Sequence, residues 1–152
     1  AQNNALDPLI HFVCVGEGPL KAEFAEKIQH ENLQARFTLL PATPEIPHLL
    51  QSADAFIMPS LFEGISVALL EAQASALPCL ISNTIAKASD MGLDLISFYP
   101  LEDLSPWLAQ LNKLPSVNLT SEKVTQAFFT KGFSTESVLA QLMDIYNSCD
   151  IE

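Results

Sequence analysis

Residues 55–82 read AFIMPSLFEGISVALLEAQASALPCLIS, and this stretch decides the fold class. Its apolar run over 55–58 predicts a strand that stops at Pro59, because proline cannot donate to a strand ladder. The almost wholly apolar segment 65–77 predicts a helix that is buried on most sides, and residues 78–82 predict the next strand. Short apolar strands that alternate with helices favour an open parallel sheet with helices on both faces.

The same alternation continues on both sides of this stretch. We predict further strands over residues 10–15, 36–40 and 95–99, and helices over residues 20–32, 48–52, 101–114, 121–130 and 134–146. Ser134 is the expected N-cap of the last helix. The sequence has no repeat and no internal linker, so we predict one α/β domain over residues 1–152, in which residues 120–152 form C-terminal helices.

Composition and charge exclude several functional classes. The chain has 152 residues, with 7 Lys and Arg against 18 Asp and Glu, and a formal net charge of −11. Binding to a nucleic acid backbone or to anionic lipid by charge needs cations, so neither nucleic acid nor a lipid surface is an expected partner on charge alone. Because 49% of the residues are hydrophobic and only 16% are charged, the sequence is not that of a disordered acidic tail.

The cysteines and histidines indicate no metal site. Cys14, Cys79 and Cys149 form no even-numbered disulfide framework and no CxxC pair, which is typical of reduced thiols in a cytosolic protein. The three histidines are scattered without the spacing of metal ligands. The first residues, AQNNALDPL, lack a signal peptide and a starting Met, and no apolar run is long enough to span a bilayer.

Two segments are expected at the carboxyl ends of strands, where open α/β sheets bind ligands. The first, Gly16-Glu17-Gly18, follows a predicted strand, and its glycines either make an ordinary turn or let the backbone approach a ligand. The second, Pro59 to Glu71, contains the only charged residue of the predicted helix 65–77, which is Glu71.

A buried carboxylate must be paired or hydrogen-bonded, and the hydroxyls of a ribose or a sugar would satisfy Glu71. Glu63 lies in the loop just before the helix, whose free N–H groups and partial positive charge suit a diphosphate. Alternatively, Glu63 is a solvated loop carboxylate and Glu71 pairs with a distant Lys or Arg.

Residues 13–85 resemble the C-terminal nucleotide-sugar-binding domain of retaining glycosyltransferases of family 4, which have the GT-B fold. The matching pieces are VGEGP, RFTLLPATPEIPHLLQSADAF, MPSLFEG, the Glu63-x7-Glu71 pair and EAQASALPCLISNTI, and the ending FSTESVLAQLMDIY is similar to the last helix of that family. The sequence over residues 60–85 is most similar to sequences of the branch that makes capsular polysaccharides and exopolysaccharides. The resemblance therefore implies a Rossmann-like domain that forms the C-terminal half of a GT-B fold.

The resemblance also implies a role for each matching residue. Glu63 would contact the donor sugar near the reacting carbon, and Glu71 would hold the ribose hydroxyls. The backbone amides of Gly64, Ile65 and Ser66 would face the sugar and the phosphates. The remaining matches are Gly16 and Gly18 on the phosphate side and Leu40, Pro41 and Ala42 beside the base. The implied reaction is transfer of a sugar from a nucleotide sugar, with retention, and without a metal or other cofactor.

The sequence departs from the family pattern in two ways. Ala76, Leu39 and Ala88-Ser89 replace the usual residues at single positions; Ala76 stands where Gly is usual. The family's first strand and helix, which carry an Arg and a Lys that grip the diphosphate, have no match, and no Lys or Arg occurs between Arg36 and Lys87. We therefore expect a part of a larger enzyme that does not transfer sugar by itself.

The expected parent enzyme is cytoplasmic or peripheral at the inner membrane face, and its N-terminal domain would bind a glycan or lipid-linked acceptor. One alternative is a non-catalytic interaction module, or a degenerate Rossmann-like domain, that self-associates through an exposed sheet edge left by the missing central strand. Another is a sugar-nucleotide epimerase, but that activity needs carboxylates and histidines at positions where this sequence has no such set.

Overall fold

The computed structural model of the chain describes residues 6–148. Cys149 and the two ends of the predicted domain, residues 1–5 and 149–152, lie outside the described residues. Every predicted strand and helix is present within the described range. The observed bounds equal the prediction for the helix over 121–130, are longer for the helices predicted over 48–52 and 134–146, and are shorter for the other elements.

Five parallel strands form two separate sheets. The strands are β1 (Phe12–Val15), β2 (Phe37–Leu40), β3 (Phe56–Met58), β4 (Cys79–Ser82) and β5 (Ile96–Tyr99). β1 pairs with β2, while β4 lies between β3 and β5. Within residues 6–148, β1 and β3 do not pair with each other. The interruption falls where a doubly wound sheet of strand order 3-2-1-4-5-6 has its first strand.

The helices lie between and after these strands. They are α1 (Lys21–His30), α2 (Ile46–Gln51), α3 (Val67–Ala74), α4 (Ser105–Leu111), α5 (Ser121–Thr130) and α6 (Thr135–Ser148), and two short 3-10 turns cover Gln34–Arg36 and Lys87–Ser89. The Ser134 hydroxyl accepts the Ser137 amide at 3.0 Å, which confirms Ser134 as the cap of α6. None of the helices in the described part is long and apolar enough to cross a bilayer.

α3 ends three residues earlier than the sequence predicts. The Leu77 amide donates to the Ala72 carbonyl and the Ala76 amide to the Gln73 carbonyl, and Ala76 has a φ of 56°. This pattern is a Schellman-type end, which normally places glycine in the left-handed position. Ala76 thus occupies the position where the family usually has Gly, in a conformation that favours Gly.

The core lies between α3 and the three-stranded sheet. All four residues of β4 are buried, and two of them, Cys79 and Ile81, pack with Leu69, Ala72 and Leu77. The first sheet is covered less completely, because Val13 and Val15 of β1 are 51% and 37% exposed. The prediction of a parallel α/β architecture with helices on both faces is confirmed, and the Val13 and Val15 side chains of β1 remain partly exposed.

The prediction that α3 is buried on most sides is wrong. Leu69, Ala72 and Gln73 are buried, but Val67 is 67% exposed. Ala68, Glu71 and Ala74 are also exposed. An apolar composition shows that a helix can be buried, but only the neighbouring elements decide which of its faces are covered.

Candidate functional site

The loop over residues 59–66 joins β3 to α3 at the carboxyl end of the three-stranded sheet. Its carboxylate, Glu63, is half-buried and accepts a hydrogen bond from the Ser60 hydroxyl, with 3.1 Å between Ser60 Oγ and Glu63 Oε1. The alternative of a freely solvated Glu63 therefore does not hold. The loop itself orients this carboxylate.

The amides of this loop are available to a ligand. Within the described residues, no acceptor is present for the backbone N–H groups from Leu61 to Ala68. The first N–H with a partner belongs to Leu69, whose acceptor is the N-cap hydroxyl of Ser66 at 3.4 Å. Unpaired N–H groups at the start of a helix bind anions, because their dipoles point the positive end outward.

Open space lies in front of Gly64. A Cβ built on Gly64 would meet no atom within 4 Å, and the neighbouring Ile65 is 56% exposed. A ligand can therefore approach the backbone of this loop closely.

The prediction that Glu71 is buried is wrong. Glu71 lies on the exposed face of α3, and its side chain has neither an ion pair nor a hydrogen bond within residues 6–148. The alternative in which Glu71 pairs with a distant Lys or Arg therefore does not hold either. Glu71 lies four residues after the start of α3, which places it about 6 Å along the helix axis from Val67. It is a free acceptor one turn beyond the unpaired amides.

The Gly16-Glu17-Gly18 turn stands at the end of the other sheet. The Gly16 amide donates to the Leu40 carbonyl at 3.1 Å, so the ends of β1 and β2 are held together. Gly16 has a φ of 145°, which favours glycine, and the Gly18 carbonyl accepts the Lys21 amide at 3.2 Å. These contacts are those of an ordinary turn that begins α1, and open space still lies in front of both glycines.

The predicted site residues thus form two groups. One group holds Gly16, Gly18 and Leu40, with Pro41 and Ala42 exposed just after β2, and the other holds Glu63, Gly64, Ile65, Ser66 and Glu71. No strand pairing or hydrogen bond in the described part of the chain joins the two groups. The interruption between β1 and β3 separates them in the sheet order.

Few Lys or Arg side chains lie near the group that contains Glu63 and Glu71. Lys87 begins the 3-10 turn Lys87–Ser89, and Ser89 of that turn donates to the Gly64 carbonyl at 3.3 Å. Lys87 is exposed and has no ion pair among the described residues. Lys21, beside the first group, is instead paired with Glu17 at 2.8 Å.

The thiols do not support nucleophilic or metal chemistry. Cys79 is buried, and burial together with the negative charge of Asp90 raises its pKa to about 12. Burial also raises the pKa of Cys14, which is half-exposed. Residues 6–148 contain no cluster of three His, Cys, Asp or Glu side chains that could hold a metal ion.

Sequence reasoning did not identify the hydroxyls around the loop. Ser60 lies within the loop, while Ser82, Thr84 and Ser89 bond to it from positions 22 to 25 residues away from their partners. The available signal was that Ser82 ends a predicted strand at the same edge of the sheet as Pro59.

Comparison with known proteins gives a consistent result. The family described as Glycosyl transferases group 1 has a sequence model that matches residues 2–114. The chain is 34% identical over 137 residues to EpsF of Bacillus subtilis (strain 168), which is named as a glycosyltransferase; the match covers 89% of this chain and 36% of EpsF. The chain thus spans about a third of the length of that relative.

Two further matches concern a second relative and a solved structure. The chain is 43% identical over 81 residues to the Escherichia coli UDP-Gal:alpha-D-GlcNAc-diphosphoundecaprenol alpha-1,3-galactosyltransferase, covering 53% of this chain and 21% of that protein. The structure of HepE from Anabaena in complex with UDP superposes with a TM-score of 0.73 at 16% identity, covering 95% of this chain and 43% of HepE. This likeness shows the fold, which is a Rossmann-like half of a GT-B protein.

Proposed function

The chain belongs to the glycosyl transferases group 1 family, and from this premise we propose that it is the donor-binding part of a retaining glycosyltransferase. In this proposal a nucleotide sugar binds at the carboxyl edge of the parallel strands. Its sugar passes to an acceptor hydroxyl with the anomeric configuration retained. The family relation supports the reaction class, and the geometry of the loop over residues 59–66 supports the binding role.

The observation that carries the proposal is a run of unpaired amides that contains one carboxylate residue and ends one turn before a second. The N–H groups from Leu61 to Ala68 have no acceptor in the described chain, Glu63 lies among them, and Glu71 lies one turn beyond. A nucleotide sugar carries a diphosphate with hydroxyl-bearing rings at both ends. Amides suit its diphosphate, and carboxylates suit the hydroxyls of its two rings.

The proposed roles follow from this complementarity and from the resemblance. Glu63 contacts the donor sugar near the reacting carbon, and Glu71 accepts hydrogen bonds from the ribose hydroxyls. Backbone groups complete the site, with Gly64, Ile65 and Ser66 at the sugar and phosphates, Gly16 and Gly18 on the phosphate side, and Leu40, Pro41 and Ala42 beside the base.

We propose a uridine diphosphate sugar as the donor. Two of the similar proteins support this choice, because one is named for UDP-Gal and the other is in complex with UDP. A lipid-linked or polysaccharide acceptor is supported by the diphosphoundecaprenol in the name of the Escherichia coli relative. Such an acceptor would keep the enzyme in the cytoplasm or at the inner membrane face.

Titration of the 152-residue chain with UDP tests the donor site. Glu71→Ala removes a charged acceptor, and because a hydrogen bond to a charged group contributes about 1.5–3 kcal/mol, we expect UDP affinity to fall about 10- to 100-fold. Glu26→Ala, which changes an exposed Glu on α1, is the matched control and should bind like the native chain. Equal affinity of both variants would refute the role of Glu71.

The chain by itself should not transfer sugar, because the acceptor site is not among its proposed parts. We expect no transfer or hydrolysis of a radiolabelled UDP-sugar above background, with or without EDTA, since no metal is part of the proposal. Turnover by the 152-residue chain would refute this separation of donor and acceptor sites.

A non-enzymatic role has one observation in its favour. β1 has an unpaired edge within the described residues, and its Val13 and Val15 are exposed. Exposed apolar edge strands associate with other strands. If the chain is an interaction module, light scattering should show dimers whose fraction rises with concentration, and Val13→Lys should abolish them; a monomer at high concentration would exclude this alternative.

A further inference from the structure

The Ser60 carbonyl oxygen accepts hydrogen bonds from two hydroxyls, one at the end of β4 and one just after it. Ser82, the last residue of β4, donates its hydroxyl proton to this oxygen, and Thr84 Oγ1 donates to the same oxygen at 2.9 Å. The two hydroxyl oxygens lie 2.7 Å apart. Each hydroxyl carries one proton, and their mutual contact can use only one of the two. At least one proton in this triangle is therefore directed at the carbonyl.

Ser60 also holds Glu63, the candidate catalytic carboxylate, through a hydrogen bond. Ser60 uses its carbonyl oxygen toward Ser82 and Thr84, and its own hydroxyl donates to Glu63. A single residue therefore connects the end of β4 with Glu63.

The other end of the loop is held by a second, buried network. The Ser89 hydroxyl donates to the Gly64 carbonyl, and the Ser89 carbonyl accepts from Gln73 Nε2 at 2.8 Å. Gln73 also donates to the Leu69 carbonyl at 3.2 Å and accepts the Met91 amide at 2.9 Å. Gln73 and Ser89 are fully buried. A buried polar network with all its groups satisfied is rigid, so the turn that carries Ser89 is tied to α3.

These two restraints decide where the loop amides face. In a planar trans peptide group the C=O and the following N–H point in opposite directions. Because the Ser60 carbonyl faces Ser82 and Thr84, the Leu61 N–H faces away from them. For the same reason the Ile65 N–H faces away from Ser89, and neither N–H has an acceptor in the described chain.

We propose that Ser82, Thr84 and Ser89 are positioning residues for the donor. They hold two carbonyls of the loop against the protein, so that the Leu61 and Ile65 amides and the Glu63 carboxylate are already oriented before the donor arrives. Hydrogen-bonding groups that are already ordered lose less free energy when the nucleotide sugar binds than groups that must first be ordered. This inference rests on the proposed function, because it assigns the purpose of the restraint to a nucleotide diphosphate.

The test compares variants of the 152-residue chain that keep or lose the hydroxyls at the Ser60 end. The double variant Ser82→Ala/Thr84→Val removes both protons, while Thr84→Ser keeps its hydroxyl and is the matched control. The measurements are the 1H–15N heteronuclear NOE of the Leu61 and Glu63 amides without ligand, and the UDP affinity by titration. We expect the double variant to lower the NOE and to weaken UDP binding about tenfold, and the control to match the native chain within a factor of two.

Three results would overturn the inference, and they separate it from the proposed function. A native chain that does not bind UDP would refute the proposed function, and the inference with it. UDP binding of native strength by the double variant would refute the inference alone. So would weaker binding with an unchanged NOE, because the hydroxyls would then act on the ligand and not on the loop.

A second variant covers the case in which the double variant does not fold. Thr84 is exposed, so Thr84→Val alone leaves the core unchanged. Ser82 can still donate its one proton to the Ser60 carbonyl, and we therefore expect a twofold to threefold loss of UDP affinity. Thr84→Ser should restore native affinity, and failure of that rescue would contradict the positioning role.

Discussion

Two turns at the carboxyl ends of strands differ in what holds them. The Gly16-Glu17-Gly18 turn after β1 is held by neighbouring backbone, through the Gly16 bond to Leu40 and the Gly18 bond to Lys21, and all three of its residues are exposed. The loop 59–66 after β3 is held at Ser60 and Gly64 by side chains at the end of β4 and after it.

The difference indicates which turn can adapt to a ligand. A turn held by its own strand ends can shift with little cost, while a loop restrained at both ends by buried groups cannot. A rigid loop suits the group that must be oriented for chemistry, which in the proposed function is Glu63. The glycine turn suits contacts that tolerate movement. Substitutions in the two turns and in the helices that follow them test this difference.

The largest effect is expected at Glu63 in the longer glycosyltransferase that we propose contains this chain. Glu63→Gln keeps the shape of the side chain and removes its charge, so we expect kcat to fall about 10²- to 10³-fold with a much smaller change in donor KM. Glu17→Gln, in the glycine turn, should change kcat less than threefold. Similar losses at both positions would erase the distinction between the turns.

The second prediction compares the UDP affinity of variants at Gly64 and Gly18, two glycines that both face open space. A Cβ on Gly64 or on Gly18 meets no atom within 4 Å, so neither Gly64→Ala nor Gly18→Ala should disturb folding. We expect Gly64→Ala to weaken UDP binding about tenfold, because the restrained loop cannot move aside, which corresponds to about 1.4 kcal/mol. Gly18→Ala should weaken it less than threefold, since its turn can shift. Calorimetric titration of both variants decides this.

The third prediction compares the stability of variants at Gly16 and Gly18, the two glycines of the Gly16-Glu17-Gly18 turn. Gly16 has a φ of 145°, and a side chain in such a region costs on the order of 1–3 kcal/mol. We expect Gly16→Ala to lower the free energy of unfolding in urea by about that amount, whereas Gly18→Ala should stay within about 0.5 kcal/mol of the native value. Equal stability of the two variants would show that the turn has no conformational requirement.

The smallest effect concerns the helices that follow the two turns. Ala76 follows the end of α3 and Asn32 follows the end of α1, each by two positions, and both residues have a φ of 56°. A left-handed conformation costs alanine about 1–2 kcal/mol, of which the greater freedom of unfolded glycine offsets about half. Ala76→Gly should therefore raise the free energy of unfolding by about 0.5–1 kcal/mol.

Asn32→Gly is the matched control, because asparagine tolerates this conformation better than alanine. We expect it to change stability less than Ala76→Gly, as measured by the urea midpoint. A lower midpoint for Ala76→Gly would contradict the assignment of strain at the end of α3.

Local patterns predicted the order of strands and helices, because the periodicity of apolar residues depends only on near neighbours. They also predicted the Ser134 cap, whose partner Ser137 is three residues away. They failed for Glu71, which lies on an exposed face of α3 although the helix is almost entirely apolar. The sequence alone cannot show whether another element covers that face of α3.

The parallel α/β class, the family resemblance and the Glu63-x7-Glu71 pair are visible in the amino-acid sequence, since they depend on residue type and short spacing. The division of the strands into two sheets, and the restraint of the loop at Ser60 and Gly64 by Ser82, Thr84 and Ser89, are visible only in the folded chain. Ser60 and Thr84 are 24 positions apart, and Gly64 and Ser89 are 25. Contacts at that separation form because parallel strands bring their carboxyl ends to one edge, and no local pattern encodes which side chains meet there.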